Sequence, residues 1–192
     1  MPPGITFDQQ KVLDTGFEIL RKEGIARLSA RNIARRLGCS TQPVYSAFGS
    51  MDKLRGEVIK KAKEFIIEYL LRDQKPGEEL FSSGMQYFHF ARNEKVLFRF
   101  LLAEGHIGLT LEAMFELSGP LIERMKDDPF LKGIKEDRLG RIGRDLWIYT
   151  HGLIASTFES TRPDIEDIVR KRMILMGETV VGWEKYRNNL DN

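Results

Sequence analysis

Apolar residues recur along this chain at helical rather than strand spacing, and the intervals predict an all-α protein. Val12, Leu13, Phe17, Ile19 and Leu20 mark a helix over residues 8–23, with Thr6 or Asp8 to cap it and Gly24 to stop it. Ser29 precedes a short helix over residues 30–37, whose inward residues are Ile33, Ala34 and Leu37. Gly38 ends that helix in a tight turn where a positive φ is commonly needed. Two residues later Ser40 is placed to cap a third helix over residues 41–47. Pro43 falls in its first turn, where a missing N–H removes no intrahelical bond. From Ser50 to about Arg72 a longer amphipathic helix carries Leu54, Val58, Ile59, Ala62, Phe65, Ile66, Tyr69 and Leu70, and Lys75-Pro76-Gly77 breaks it. Further helices are predicted over residues 77–92, 94–104, 109–126, 135–160 and 164–186, with a kink or restart near Ser118 where Gly119-Pro120 intervenes. No linker, repeat or low-complexity tract separates them.

Composition narrows the class. Of 192 residues 42% are hydrophobic and 30% charged, which excludes a disordered chain. Thirty Lys/Arg against 28 Asp/Glu give a formal charge of +2, too balanced for a histone-like protein. The single cysteine, Cys39, forms no internal disulfide and fits a reducing compartment. Apolar runs fall far short of the ~20 residues that span a bilayer. Met1-Pro2-Pro3-Gly4 lacks the basic and apolar regions of a signal peptide. The expectation is a soluble, cytoplasmic protein with no membrane partner.

The net charge hides an asymmetry. Residues 1–54 carry eight Lys/Arg and five Asp/Glu, and the remainder 22 and 23. Between Gly24 and Met51 lie Arg27, Arg31, Arg35 and Arg36 with no acid, the footprint of a phosphate-facing surface or of a solvated basic helix face. Two short helices joined by a glycine-containing turn form a helix-turn-helix. Its second helix exposes Thr41, Gln42 and Ser46, short uncharged groups suited to base edges in the major groove. Tyr45 offers a phenol to a phosphate, and helix N-termini favour phosphate electrostatically.

The run Ile33-Ala34-Arg35-Arg36-Leu37-Gly38-Cys39-Ser40, followed by Val44-Tyr45, Phe48, Ser50 and Leu54, resembles the N-terminal domain of the TetR family of bacterial transcriptional regulators. The resemblance implies a three-helix DNA-binding head with a helix-turn-helix (residues 1–54). A long fourth helix joins it to a C-terminal helical effector-binding and dimerisation domain (residues 55–192). By position, Ser29, Ser40 and Tyr45 resemble the family's phosphate contacts, and Thr41, Gln42 and Pro43 its base-facing residues. Arg31 and Ser46 complete the surface. Ala47 stands where many members have His, and Met51 where most have a phosphate-binding Lys. Lys53 is the replacement cation, about 200° away around the helix. Val44, Phe48 and Ile33 form the small core of the head, and Cys39 fills an apolar slot that the family often gives to Val.

The remaining helices carry two apolar stripes, Leu139, Ile142, Leu146, Leu153 and Ile154, and Ile165, Ile168, Val169, Met173, Met176 and Val180. Either they face the chain's own core or they pair with a symmetry mate as a four-helix bundle. The resemblance favours a homodimer through the helices around 135–160 and 164–186. Trp147-Ile148-Tyr149-Thr150-His151-Gly152 resembles the Trp…His-Gly signature of one C-terminal subgroup. Large apolar groups with a few polar ones make the default ligand site of a helical body. Met85, Phe88, His89, Phe98, Leu101, Phe115, Trp147 and His151 are the candidate effector contacts. His151 is the best polar one, being one turn from Trp147.

The functional expectation is a ligand-responsive regulator, a repressor that binds a palindromic operator in double-stranded DNA and is released by a small, largely apolar effector. It needs no cofactor. His89, His106 and His151 lack the i,i+3 or i,i+4 spacing of a metal site, and no G-x-S-x-G, P-loop, G-x-G-x-x-G or H-E-x-x-H motif marks an enzyme. A helical hydrolase or lyase using the His151 region, or an interaction adaptor that inherited the head, is the alternative.

Overall fold

The computed structural model describes residues 8–103 and 119–190, apart from the side chains of residues 101–103, 188 and 189. The expected break near Ser118 therefore lies outside the described residues, as does Thr6. Helices run over α1 (Gln9–Glu23), α2 (Ala30–Leu37), α3 (Gln42–Phe48), α4 (Met51–Leu71), α5 (Glu79–Asn93) and α6 (Lys95–Ala103). Residues 119–125 follow as α7, then α8 (Glu136–Thr157) and α9 (Ile165–Leu190). Among the described residues there is no strand. None of these helices is long and apolar enough to cross a membrane. The helices divide into two compact units. One holds α1–α3, α4 up to Ile66, and α6; the other holds the end of α4, α5, and α7–α9.

Local chemistry sets the ends of the first unit's helices. Asp8 caps α1, its carboxylate accepting from the Gln10 amide at 3.2 Å. Ser29 caps α2 by accepting from the Asn32 amide at 3.3 Å, which satisfies one of the unpaired donors of a helix start. Ser40 does not cap α3. The helix begins one residue later than its sequence suggests, with Thr41 at the cap position and no side-chain cap bond. The capping serine of α4 is Ser50, whose hydroxyl accepts from the Lys53 amide at 3.2 Å. Val12, Ile19, Leu20, Ile33, Leu54 and Val58 are fully enclosed in this core. α1 and α4 approach closely at Gly16, where an added Cβ would lie 2.9 Å from Val58 Cγ2. Arg21 forks onto Glu94 through Nε at 2.8 Å and Nη2 at 2.5 Å, tying α1 to the residue before α6.

In the second unit α8 packs on α9 more extensively than any other described pair of helices. Met125, Leu131, Leu139, Ile142, Leu146 and Val181 form one cluster of the core. Most of the stripe residues read from the sequence turn inward: Leu139, Ile142, Leu146, Ile154, Ile165, Val169 and Met173 are buried within this chain, while Leu153, Ile168, Met176 and Val180 are half-buried. Two amphipathic helices bury their most apolar stripes against each other first, and sequence spacing does not say which partner does the burying. Asp128 is 3% exposed and acts as a double cap, accepting from the amides of Phe130 (2.9 Å) and Leu80 (3.0 Å). Glu184 on α9 is 4% exposed and lies 3.2 Å from Arg138 Nη1 of α8. Arg187 and Arg141 stand at 3.5 and 3.9 Å from it.

Candidate nucleic-acid interface and ligand cavity

The turn between α2 and α3 is fixed by Gly38, which adopts φ 67° and ψ 33°. A side chain there would strain the left-handed conformation, whereas glycine carries no such penalty. The Cys39 amide donates to the Ala34 carbonyl at 3.0 Å, closing the end of α2. Val44 and Phe48 are buried in the core, whereas Cys39, expected to fill an apolar slot, is only half-buried. The opposite face of α3 is left to solvent: Thr41, Gln42, Tyr45 and Ser46 are exposed, and Pro43 is half-buried. Ser40, Arg31 and Lys53 are exposed too, and Ser29 is half-buried with its hydroxyl engaged in the cap. Arg31 and Arg35 extend from α2 into solvent, while Arg36 pairs with Glu23. The surface is cationic on α2 and uncharged on α3, which can attract phosphates with one element and read base edges with the other.

The second unit holds a half-open cavity of about 260 Å³. Its walls come from α5, α7, α8 and α9 with the end of α4. Leu146 and Trp147 of α8 and Met173 and Ile174 of α9 form much of the apolar lining. Polar lining is sparse, with Ser83, Thr150, Glu78, Asp128 and Glu178. The size and the ratio of apolar to polar groups suit a small organic ligand.

Residues 12–58 match the family of bacterial regulatory proteins, tetR family. The match spans α1 to the first turns of α4 and so covers the helix-turn-helix. No curated protein matches the chain. Solved structures of transcriptional regulators share the fold. A tetR-family transcriptional regulator from Streptomyces coelicolor superposes with a TM-score of 0.67 at 14% identity, covering 96% of this chain and 89% of its own. A transcriptional regulator from Rhodococcus sp. Rha1 gives 0.63 at 15% identity, covering 93% and 98%. A second Streptomyces coelicolor TetR gives 0.60 at 14%, covering 92% and 98%.

Within this tetR-like architecture the expected effector contacts scatter. Trp147 lines the cavity. Met85 and Phe88 are buried in the second unit away from the lining, and Phe98 is fully buried in the first unit. His89 is 3.4 Å from Glu166. Phe115 and the Leu101 side chain lie outside the described residues, as does His106. His151 stacks on Trp147 with ring centroids 4.6 Å apart, and its Nδ1 is 2.7 Å from the Tyr87 hydroxyl. Burial pushes the Tyr87 phenol up and His151 down from their ordinary values, so both are held neutral. Tyr87, unlike His151, also lines the cavity. Sequence spacing missed Phe81, Phe130, Ile174, Glu78 and Glu178, because a cavity wall depends on which faces of different helices meet. Among the described residues no three His, Cys, Asp or Glu side chains gather as metal ligands.

Proposed function

We propose that this chain is a TetR-family transcriptional regulator acting in the cytoplasm, a homodimeric repressor released from a palindromic operator by a small effector. The observation that carries the reading is the coincidence of the tetR-family match with the exposed polar face of α3 beside the arginines of α2. In this reading Thr41, Gln42, Pro43 and Ser46 meet base edges. Ser29, Arg31, Ser40, Tyr45 and Lys53 meet phosphates. The head comprises residues 1–54 and the effector and dimer domain residues 55–192. In this reading the body belongs with the Trp…His-Gly subgroup, whose signature Trp147 through Gly152 resembles. No catalytic step and no cofactor is needed.

Support for dimerisation comes from a stripe that the sequence did not single out. Ile148 on α8 and Leu175, Trp183 and Tyr186 on α9 are large apolar side chains exposed to solvent. Leu175, Thr179, Gly182, Trp183 and Tyr186 follow helical spacing along one face, which a second copy of the helix pair would cover. Two heads in such a dimer would read half-sites ~34–36 Å apart, one turn of the duplex. Effector uptake would bias the heads through α4, which runs continuously from Met51 into the second unit. A coupling of about 1–3 kcal/mol is enough.

The deciding experiment is selection of bound duplexes from a random pool at low and moderate salt. Enrichment of a palindrome with half-sites one turn apart, and a steep loss of affinity with salt, is the expected result. Weak, salt-insensitive retention of DNA by the refolded, ligand-free chain would overturn the regulator reading in favour of an adaptor or an enzyme.

A further inference from the structure

We infer that the cavity of the second unit selects an organic cation, an apolar or aromatic body carrying an ammonium-like group. The inference rests on the effector-responsive reading above and names the class of its ligand. Charge in the described lining is one-sided. Glu78 and Glu178 line it, both are exposed, and neither makes an ion pair among the described residues. Among the described residues no Lys, Arg or His lines it. The third lining carboxylate, Asp128, is not available in the same way, because its two oxygens are engaged by the Phe130 and Leu80 amides.

An anionic ligand would find no cation in the described lining and two carboxylates without an ion pair among the described residues. Donors for it are also few. The Ser83 hydroxyl already donates to the Glu79 carbonyl at 2.9 Å and the Tyr87 hydroxyl is engaged with His151 Nδ1 at 2.7 Å, which leaves Thr150 among the hydroxyls of the described lining. A cation instead finds both carboxylates and the rings of Phe81, Phe130, Tyr87 and Trp147, whose faces attract positive charge. Two of these rings already hold cations of the protein. The Arg170 guanidinium lies 5.4 Å from the centre of Phe81, and Lys185 Nζ lies 5.5 Å from that of Phe130. Neither basic residue is part of the described lining: Arg170 lies 3.6 Å from Glu166, and Lys185 donates to the Phe130 carbonyl at 2.8 Å.

The magnitudes divide the work. An exposed carboxylate changes the affinity of a single charge by up to about fivefold, so Glu78 and Glu178 set discrimination between charges. Burial of the ligand body against Leu146, Met173 and Ile174 supplies most of the affinity.

Calorimetric titration of the full chain with charge-inverted pairs tests this. Tetraphenylphosphonium and tetraphenylborate share one size, and benzyltrimethylammonium and 3-phenylpropionate form a smaller pair. At low salt at least one cation should bind about tenfold more tightly than its anionic counterpart. The Glu78→Gln/Glu178→Gln variant should bring that ratio close to one with an unchanged melting temperature, since both side chains are exposed. Equal or tighter binding of the anions, a preference that survives the double variant, or no binding of either cation at millimolar concentration would each overturn the inference. Duplex binding is read separately on the same preparation. A chain that selects the cation but binds no duplex keeps the inference and loses the regulator reading; one that binds the duplex and ignores both cations does the reverse.

Discussion

The Tyr87 hydroxyl lies 2.7 Å from Nδ1 of His151, whose ring stacks on Trp147 at 4.6 Å. The bond is satisfied by a neutral imidazole in either tautomer, so it holds three aromatic rings of α5 and α8 together without a charge. Burial lowers the affinity of His151 for a proton relative to its ordinary value of 6.5. Below that value the unfolded chain binds a proton that the folded chain resists, and this contribution to stability falls as pH drops. Urea unfolding at pH 7.5 and at pH 5.5 should show a loss on acidification that is smaller in His151→Gln. An identical pH dependence in the two proteins would show that His151 titrates alike in both states.

Gly16 sits mid-helix in α1, where glycine costs about 1 kcal/mol against alanine in an ordinary helix. Here the sign should reverse. An alanine Cβ would lie 2.9 Å from Val58 Cγ2, and Val58 is fully buried. Gly16→Ala should therefore destabilise the chain by about 1–3 kcal/mol, the usual cost of overpacking. Val58→Ala in the same chain should recover part of the loss. Thermal melts of the two single variants and the double variant measure the coupling, and additive losses would place the effect elsewhere than in this contact.

These two cases show what the sequence made legible and where it stopped. Helix positions followed from apolar spacing and from Ser29, Gly24, Gly38 and Pro76-Gly77, because those signals act within a few residues. The exposed polar face of α3 was equally local, since Val44 and Phe48 fix which side turns inward. Contacts across helices were not legible. Nothing in residues 9–23 alone says that Gly16 faces Val58. Leu139 and Ile142 have the same spacing whether they meet α9 of their own chain or that of a second copy. Phe98 and Trp147 look alike as large apolar residues, yet one is sealed in the first unit and the other lines the cavity of the second.

Ser29 has two separable roles, a helix cap observed in the fold and a proposed phosphate contact. Ser29→Ala removes both and should cost about 1 kcal/mol of stability. Ser29→Asp keeps a capping acceptor for the Asn32 amide and favours the positive end of α2, so its stability should match the wild type. It should nevertheless lose duplex affinity, because a carboxylate repels phosphate. An aspartate variant that binds duplex as well as the wild type would remove Ser29 from the DNA surface while leaving its cap intact.

Gln42 and Tyr45 are both exposed on α3 and should fail in different ways. Gln42→Ala removes a side chain able to bond an adenine edge, so it should relax the choice at one base position by about 1–3 kcal/mol. Tyr45→Phe removes only a hydroxyl offered to phosphate and should weaken all sequences alike. Affinities for a panel of singly substituted operators separate the two patterns. The same selectivity loss in both variants would contradict this division of labour.

Trp183 is 58% exposed, its ring tilted by 31° to that of Tyr186 with centroids 5.8 Å apart. A side chain of that size left in water on a stripe with Leu175 and Tyr186 contributes little to the fold of one chain and much to a surface that covers it. Trp183→Asp should therefore leave the folded chain's stability, extrapolated to infinite dilution, nearly unchanged. In a dimer the charge would be buried twice, once on each side of the symmetry axis, so association should be lost. Sedimentation across a concentration series would read this as a shift from dimer to monomer, together with a loss of cooperative binding to a palindromic duplex. A variant that stays dimeric would move the interface off this face of α9, and a wild-type chain that is monomeric throughout would remove the symmetric arrangement on which the two-half-site operator depends.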